Sequence, residues 1–219
     1  MKTVKTGAES GSILKQYGEF GNLLKLSKVR KVFTLQFFMI IGLFGLVPNV
    51  AIWLSTNYSM NATQIGLCYM QGGIGGIIGN TLCGYFINKG HRGQLITIGS
   101  LITAFFMFLS ARDIFPPAFI GVFFAGMMFG GSFRMPSFQI IITELIPINL
   151  RGRMMALSMI VSNITMGLGG IISLPFLKLE NGVLTGIEAI TLAGSVSLLV
   201  VPFLVRILER EIGQAKELY

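Results

Sequence analysis

The sequence predicts an all-α polytopic membrane protein with six transmembrane helices and both termini in the cytoplasm. Three observations carry this. Hydrophobic residues make up 53% of the 219 residues and charged residues only 12%, about half the usual globular share. Mean hydropathy is +0.74. Six apolar segments, 32–54, 64–87, 94–111, 115–142, 154–177 and 187–205, are each near or above the ~20 residues a helix needs to cross hydrocarbon. Finally, Lys and Arg are unevenly divided among the connections. Such a composition excludes a secreted disulfide scaffold, a disordered chain and a conventional soluble enzyme.

The first 31 residues are polar or mixed and lack an early apolar core, so no cleavable signal peptide is expected. Within them Ile13, Leu14, Tyr17, Phe20 and Leu24 alternate with Lys15, Lys25 and Lys28. That pattern fits an amphipathic stretch at the membrane interface and equally a disordered basic tether. The third segment is the shortest and is expected to extend at one end. Connections are short, at Ser55–Thr63, Asn88–Gly93, around Asp113, at Thr143–Arg153 and at Lys178–Gly186, which predicts a compact antiparallel bundle. Residues 209–219 form a tail. Alternating the segments places fourteen of the 17 Lys and Arg on the side of the termini and only Arg112 and Lys178 on the other. By the positive-inside rule that side is cytoplasmic. The net charge of +8 is thus a topology signal and an attraction to the lipid bilayer, not a sign of nucleic acid. Cys68 and Cys83, separated by about 22 Å along one helix, are too far apart to bridge and read as small buried side chains.

Polar residues in apolar helices normally face protein or water. Segment one carries Gln36 and Asn49, segment two Gln71 and Asn80, segment four Arg134 and Gln139, and segment five Asn163. Segments three and six carry none apart from Gln94 and Glu188 at their edges. Helices one, two, four and five are therefore expected to face an interior, with three and six toward lipid. Asn49 and Trp53 share a face with Gly42 and Gly45, which fits a cavity wall or helix packing. Segment two holds Gly72/Gly76 and Gly75/Gly79 at four-residue spacing, which permits close helix contact.

Two connections are more specific. Gly84-Tyr85-Phe86-Ile87-Asn88-Lys89-Gly90-His91-Arg92-Gly93 resembles the signature between the second and third helices of the major facilitator superfamily, with Asn88 in place of its Asp and Arg92 as the only residue of the terminal basic pair. Glu144-Leu145-Ile146-Pro147-Ile148-Asn149-Leu150-Arg151-Gly152-Arg153 is similar to that superfamily's link between helices four and five. The resemblance covers about residues 25–208 and implies a six-helix half, built as two inverted three-helix repeats. Segments one and four would be counterparts, each with a proline beside its polar residue (Pro48-Asn49; Arg134 with Pro136). The degenerate first motif and the basic arm, 1–31, which looks like the linker between halves, point to the C-terminal half. Residues 32–208 would be the half-transporter domain. The resemblance also implies a cytoplasmic gate of Asn88, Lys89, Arg92, Glu144 and Arg151. Physically, one carboxylate among four cations, Arg153 included, should form an ion-pair network at the membrane boundary; a static pair that sets topology is the plainer reading.

Arg134 is the only charged side chain deep in a segment, ~14 Å from the cytoplasmic end. It is expected to bind an anionic solute group, to pair with a carboxylate of a second half, or to be satisfied by backbone carbonyls or Gln139. Pro136 frees a carbonyl near Ser132 that could help hold it. His91 is a lone loop histidine, no metal or cofactor set is present, and no nucleotide-binding loop occurs. Asn57-Tyr58-Ser59 and Asn61-Ala62-Thr63 match glycan acceptors. The expected function is that of one half of a secondary-active carrier for a small solute, of the efflux type, in a plasma or inner membrane and not an enzyme. It would line its cavity with Asn49, Trp53, Gln71, Arg134, Gln139 and Asn163 and require a second six-helix half or a homodimer. The alternative is a non-transporting six-span scaffold, regulatory subunit or carrier remnant.

Overall fold

The computed structural model describes residues 24–88, 90–110, 112, 116–145 and 148–216, without side chains at 149 and 211–216. Lys89, Asp113, Pro147 and the apolar positions 13–20 of the arm lie outside the described residues. Six long helices run through the rest. We label them α1 (Ser27–Asn57), α2 (Ala62–Ile87), α3 (Arg92–Ser110), α4 (Pro117–Glu144), α5 (Arg151–Phe176) and α6 (Ile187–Lys216). Five of them, all but α2, are long and apolar enough to cross a membrane by length and composition. α2 has the length, 26 residues, but seven glycines with Gln64, Gln71 and Asn80 lower its hydropathy.

The ends follow local chemistry. Asn61 opens α2 with a capping box, accepting from the Gln64 N–H at 3.0 Å while Gln64 Oε1 accepts from the Asn61 N–H at 2.9 Å. Pro48 has no N–H, and α1 passes through a 3₁₀ turn at Val47–Asn49 before resuming at Val50–Asn57. Two helices outrun the predicted segments: α1 begins at Ser27, inside the predicted arm, and α6 continues to Lys216, through much of the predicted tail.

The loop after α5 is not irregular. Strands β1 (Lys178–Glu180) and β2 (Val183–Thr185) pair antiparallel. The turn between them has Asn181 and Gly182 both at positive φ, 52° and 80°, the backbone of a type I′ turn. Asn57 clasps this hairpin to α1. Its amide donates to the Leu184 carbonyl at 3.0 Å and accepts from the Leu184 N–H at 2.9 Å. Both polar atoms of the first glycan-acceptor asparagine are thus engaged within the protein, and the second, Asn61, is a helix cap.

The close pairings are α2 with α4, α3 with α4, α1 with α5, α1 with α6, and α3 with α6. Cys68, Gly72, Gly75, Gly79, Cys83 and Ile87 form the buried stripe of α2. At Gly75 and Gly79 the backbone of α4 at Ala125 and Phe129 lies where a Cβ would be, so small residues set this contact. The expected packing of the glycines and the two cysteines holds for this stripe; Gly73 and Gly84 face open space. One apolar cluster (Val32, Leu35, Ile96, Phe138, Ile142, Met154, Val205) fills the end near the termini, and a second (Leu46, Trp53, Met107, Phe124, Met127, Ile187, Leu198) fills the hairpin end.

Candidate functional site

The polar residues of the apolar helices separate into two groups. Gln36, Asn49 and Arg134 tie helices together inside the bundle. Gln36 donates to the Ser158 carbonyl at 2.8 Å and to Ser162 Oγ at 2.5 Å, and accepts from Ser158 Oγ at 3.1 Å, joining α1 to α5. Asn49 donates to the Gly45 carbonyl at 3.1 Å and to Ser173 Oγ at 2.9 Å. Trp53, one turn on, is buried against Tyr58 in the core of the hairpin end. Both predicted cavity positions on α1 make contacts inside the bundle, and Trp53 also borders a cleft of ≈ 320 Å³ with Asn57 and Leu184.

Arg134 is 1% exposed. Its guanidinium donates to the Met39 carbonyl of α1 at 2.7 Å and makes a long contact of 3.4 Å with Ser100 Oγ of α3; its Nε has no partner. The carbonyl near Ser132 is not among its partners, nor is Gln139. The backbone-carbonyl expectation holds, but through a neighbouring helix: Gly99 lets the base of the Arg134 side chain lie against α3, which aims the head across the bundle.

Gln71, Asn80, Gln139 and Asn163 are exposed. Asn80 and Gln139 border a cleft of ≈ 370 Å³ between α1, α2 and α4, whose walls include Leu43, Met128, Ser132 and Met135. Arg134 also borders it. Gln71 lies over Gly121 near the start of α4, and Asn163 stands apart on the open face of α5. Sequence reasoning named Asn80 as polar but did not place it in the site; its pairing with Gln139 follows from the close α2–α4 contact.

The burial order also departs from expectation. α3 is 50% buried within its apolar stretch, the most of any candidate span, and α5 only 22%. Thr103 and Ser195, expected on the lipid side, are buried between helices. Ser and Thr satisfy themselves on their own helix, as Thr103 does on the Gly99 carbonyl at 2.9 Å, so they pack inside without marking a helix as polar. Of the amides, Gln36 and Asn49 are bonded inside the bundle, and Gln71, Asn80, Gln139 and Asn163 mark surfaces left open by this chain.

At the end near the termini Arg92 pairs with Glu144, joining the start of α3 to the end of α4. Asn88 ends α2 and is exposed. Arg151 is exposed at the start of α5, and Arg153 also has a partner. Glu209 of α6, not foreseen, lies against Gly93 beside Arg92, where a carboxylate suits the first turn of α3. Among the described residues no group of three or more His, Cys, Asp or Glu could hold a metal ion.

Comparison with known families gives a match to the model of the Major Facilitator Superfamily over residues 32–217. No curated protein matches the sequence.

Proposed function

Because the chain belongs to the Major Facilitator Superfamily, a family of multi-pass membrane proteins that transport solutes, we propose that it forms one six-helix half of a secondary carrier, the C-terminal half, working by alternating access on a small solute. The observation that carries this is the set of exposed amides: α2 and α5 present Gln71, Asn80 and Asn163 outward, and Gln139 of α4 shares a cleft with Asn80. Amides set against lipid are costly, so these residues call for a second six-helix half or a second copy. The cleft bordered by Asn80 and Gln139 then becomes one wall of a water-filled cavity.

The helix pairings support the inverted-repeat reading. Exchanging α1 with α4, α2 with α5 and α3 with α6 turns the set of close pairings into itself, as two equivalent triplets of helices require. In this reading all six helices cross the bilayer and the connections at 88–91 and 145–150 lie in the cytoplasm. The Arg92–Glu144 pair, together with Asn88 and Arg151, is the inner latch in this reading. It is 31% and 41% exposed at its two side chains, so it contributes only ~1 kcal/mol, a size suited to a contact that must open in each cycle.

Thiol labelling tests the cavity. Cysteines replacing Asn80, Gln139 and Asn163 should react with a membrane-impermeant reagent in the assembled protein. Cysteines replacing Phe105 and Leu199, exposed on α3 and α6, should not. Equal labelling of both sets would remove the reading.

A further inference from the structure

We propose that a crevice between α5 and α6 at the hairpin end is a phospholipid site, holding one acyl chain with the lipid phosphate at Lys178. The inference rests on the chain being a membrane protein and does not depend on transport. α5 and α6 are consecutive but scarcely touch. The gap between them is an apolar crevice of ≈ 130 Å³ floored by Gly45 of α1 and walled by Gly169 and Phe176 of α5 and Ala189, Ala193 and Ser197 of α6. Ala189 and Ala193 are exposed, and with Gly42, Gly45, Gly169 and Gly194 they leave the slot open between the larger Ile172, Phe176 and Ile190.

Its dimensions select the occupant. A volume of ≈ 130 Å³ cannot admit another helix, which is about 10 Å across. From Ala189 to Ser197 it runs about 12 Å along α6, close to the ~15 Å hydrocarbon depth of one leaflet. A single acyl chain fits that length and chemistry, and the solvent around these helices is made of acyl chains. The mouth adds charge. Lys178 follows Phe176 by two residues and is exposed. It is held at the hairpin base by pairing with Thr185, whose Oγ1 donates to the Lys178 carbonyl at 3.1 Å. An exposed cation two residues beyond the wall residue Phe176 complements a phosphate.

The test is native mass spectrometry of the full chain in mild detergent titrated with dioleoyl phosphatidylglycerol, with dioleoylglycerol as the phosphate-free comparison. The wild-type chain should retain one phosphatidylglycerol and little dioleoylglycerol. Ala193→Phe, whose ring fills the slot, should lose it, while Val196→Phe on the neighbouring exposed face should keep it. Lys178→Gln should weaken retention about five-fold, the effect of one interfacial cation. Ala193→Leu should lower occupancy in part and serves if the phenylalanine variant does not fold. Undiminished lipid in the Ala193 variants overturns the site, as does equal loss in Val196→Phe or lipid found only on dimers. Equal retention of dioleoylglycerol overturns the role of Lys178.

Discussion

Arg134 offers a test in which two substitutions should move stability in an unexpected order. Its guanidinium is buried, bonded to the Met39 carbonyl at 2.7 Å and weakly to Ser100, and no ion pair among the described residues reaches it. Arg134→Lys keeps the charge but loses the planar fork that reaches α1. A hydrogen bond to a charged group contributes ~1.5–3 kcal/mol, so the lysine variant should be ~2–3 kcal/mol less stable. For a chain of this size that is roughly 5–10 °C in Tm. Arg134→Met loses the same bonds but also removes a buried charge, whose desolvation costs several kcal/mol. The methionine variant should therefore lie within ~1 kcal/mol of wild type or above it. Thermal denaturation in detergent, with uptake measured on the same preparations, reads both quantities. Methionine less stable than lysine would refute the reasoning. Uptake lost from a methionine variant of wild-type stability would put Arg134 on the solute path.

Gly75→Ala should separate α2 from α4, costing ~2–4 kcal/mol in thermal stability through overpacking, whereas Gly73→Ala, facing open space, should stabilise by roughly 0.5–1 kcal/mol. Asn57→Ala removes both bonds to Leu184 and should raise hydrogen exchange at Val183–Thr185 by roughly five- to 150-fold, for a loss of about 1–3 kcal/mol; unchanged exchange would show that Leu184 packing alone holds the hairpin. Glu144→Gln should increase thiol labelling from the cytoplasmic side by up to about five-fold, the equilibrium shift that ~1 kcal/mol allows; no increase would favour a static pair.

Much of the architecture is readable from residue types. Six apolar stretches and their short connections locate the helices, and the Gly72, Gly75, Gly79 spacing locates the face of α2 that meets α4. The hairpin had a signal too: Asn181-Gly182 between Leu179-Glu180 and Val183-Leu184 is a strong type I′ turn pattern, masked when the loop is read only as a link between spans. The site was less legible. The depth of Arg134 follows from counting residues, but its direction depends on how α4 is rotated, which Gly99 on another helix settles. Asn49 and Gln139 look alike in sequence, yet one finds Ser173 across a helix contact and the other finds open space. Counting amides alone did not show how deeply α3 packs within this chain, because its Ser100 and Thr103 bury readily without advertising an interior.

The helix pairings have a consequence for biosynthesis. Each of the five close pairings joins one of α1–α3 to one of α4–α6; none lies within either triplet. A nascent chain that has delivered only α1, α2 and α3 has therefore formed none of these close pairings. The glycine stripe of α2 waits uncovered until α4 arrives, and α1 waits longer, for α5 and α6. Assembly is concentrated at the end of synthesis, with the long-range closure that slows folding. A stop codon that removes α6 strips α1 and α3 of a neighbour each. Surveillance in the membrane would accordingly meet either a finished unit or loose helices.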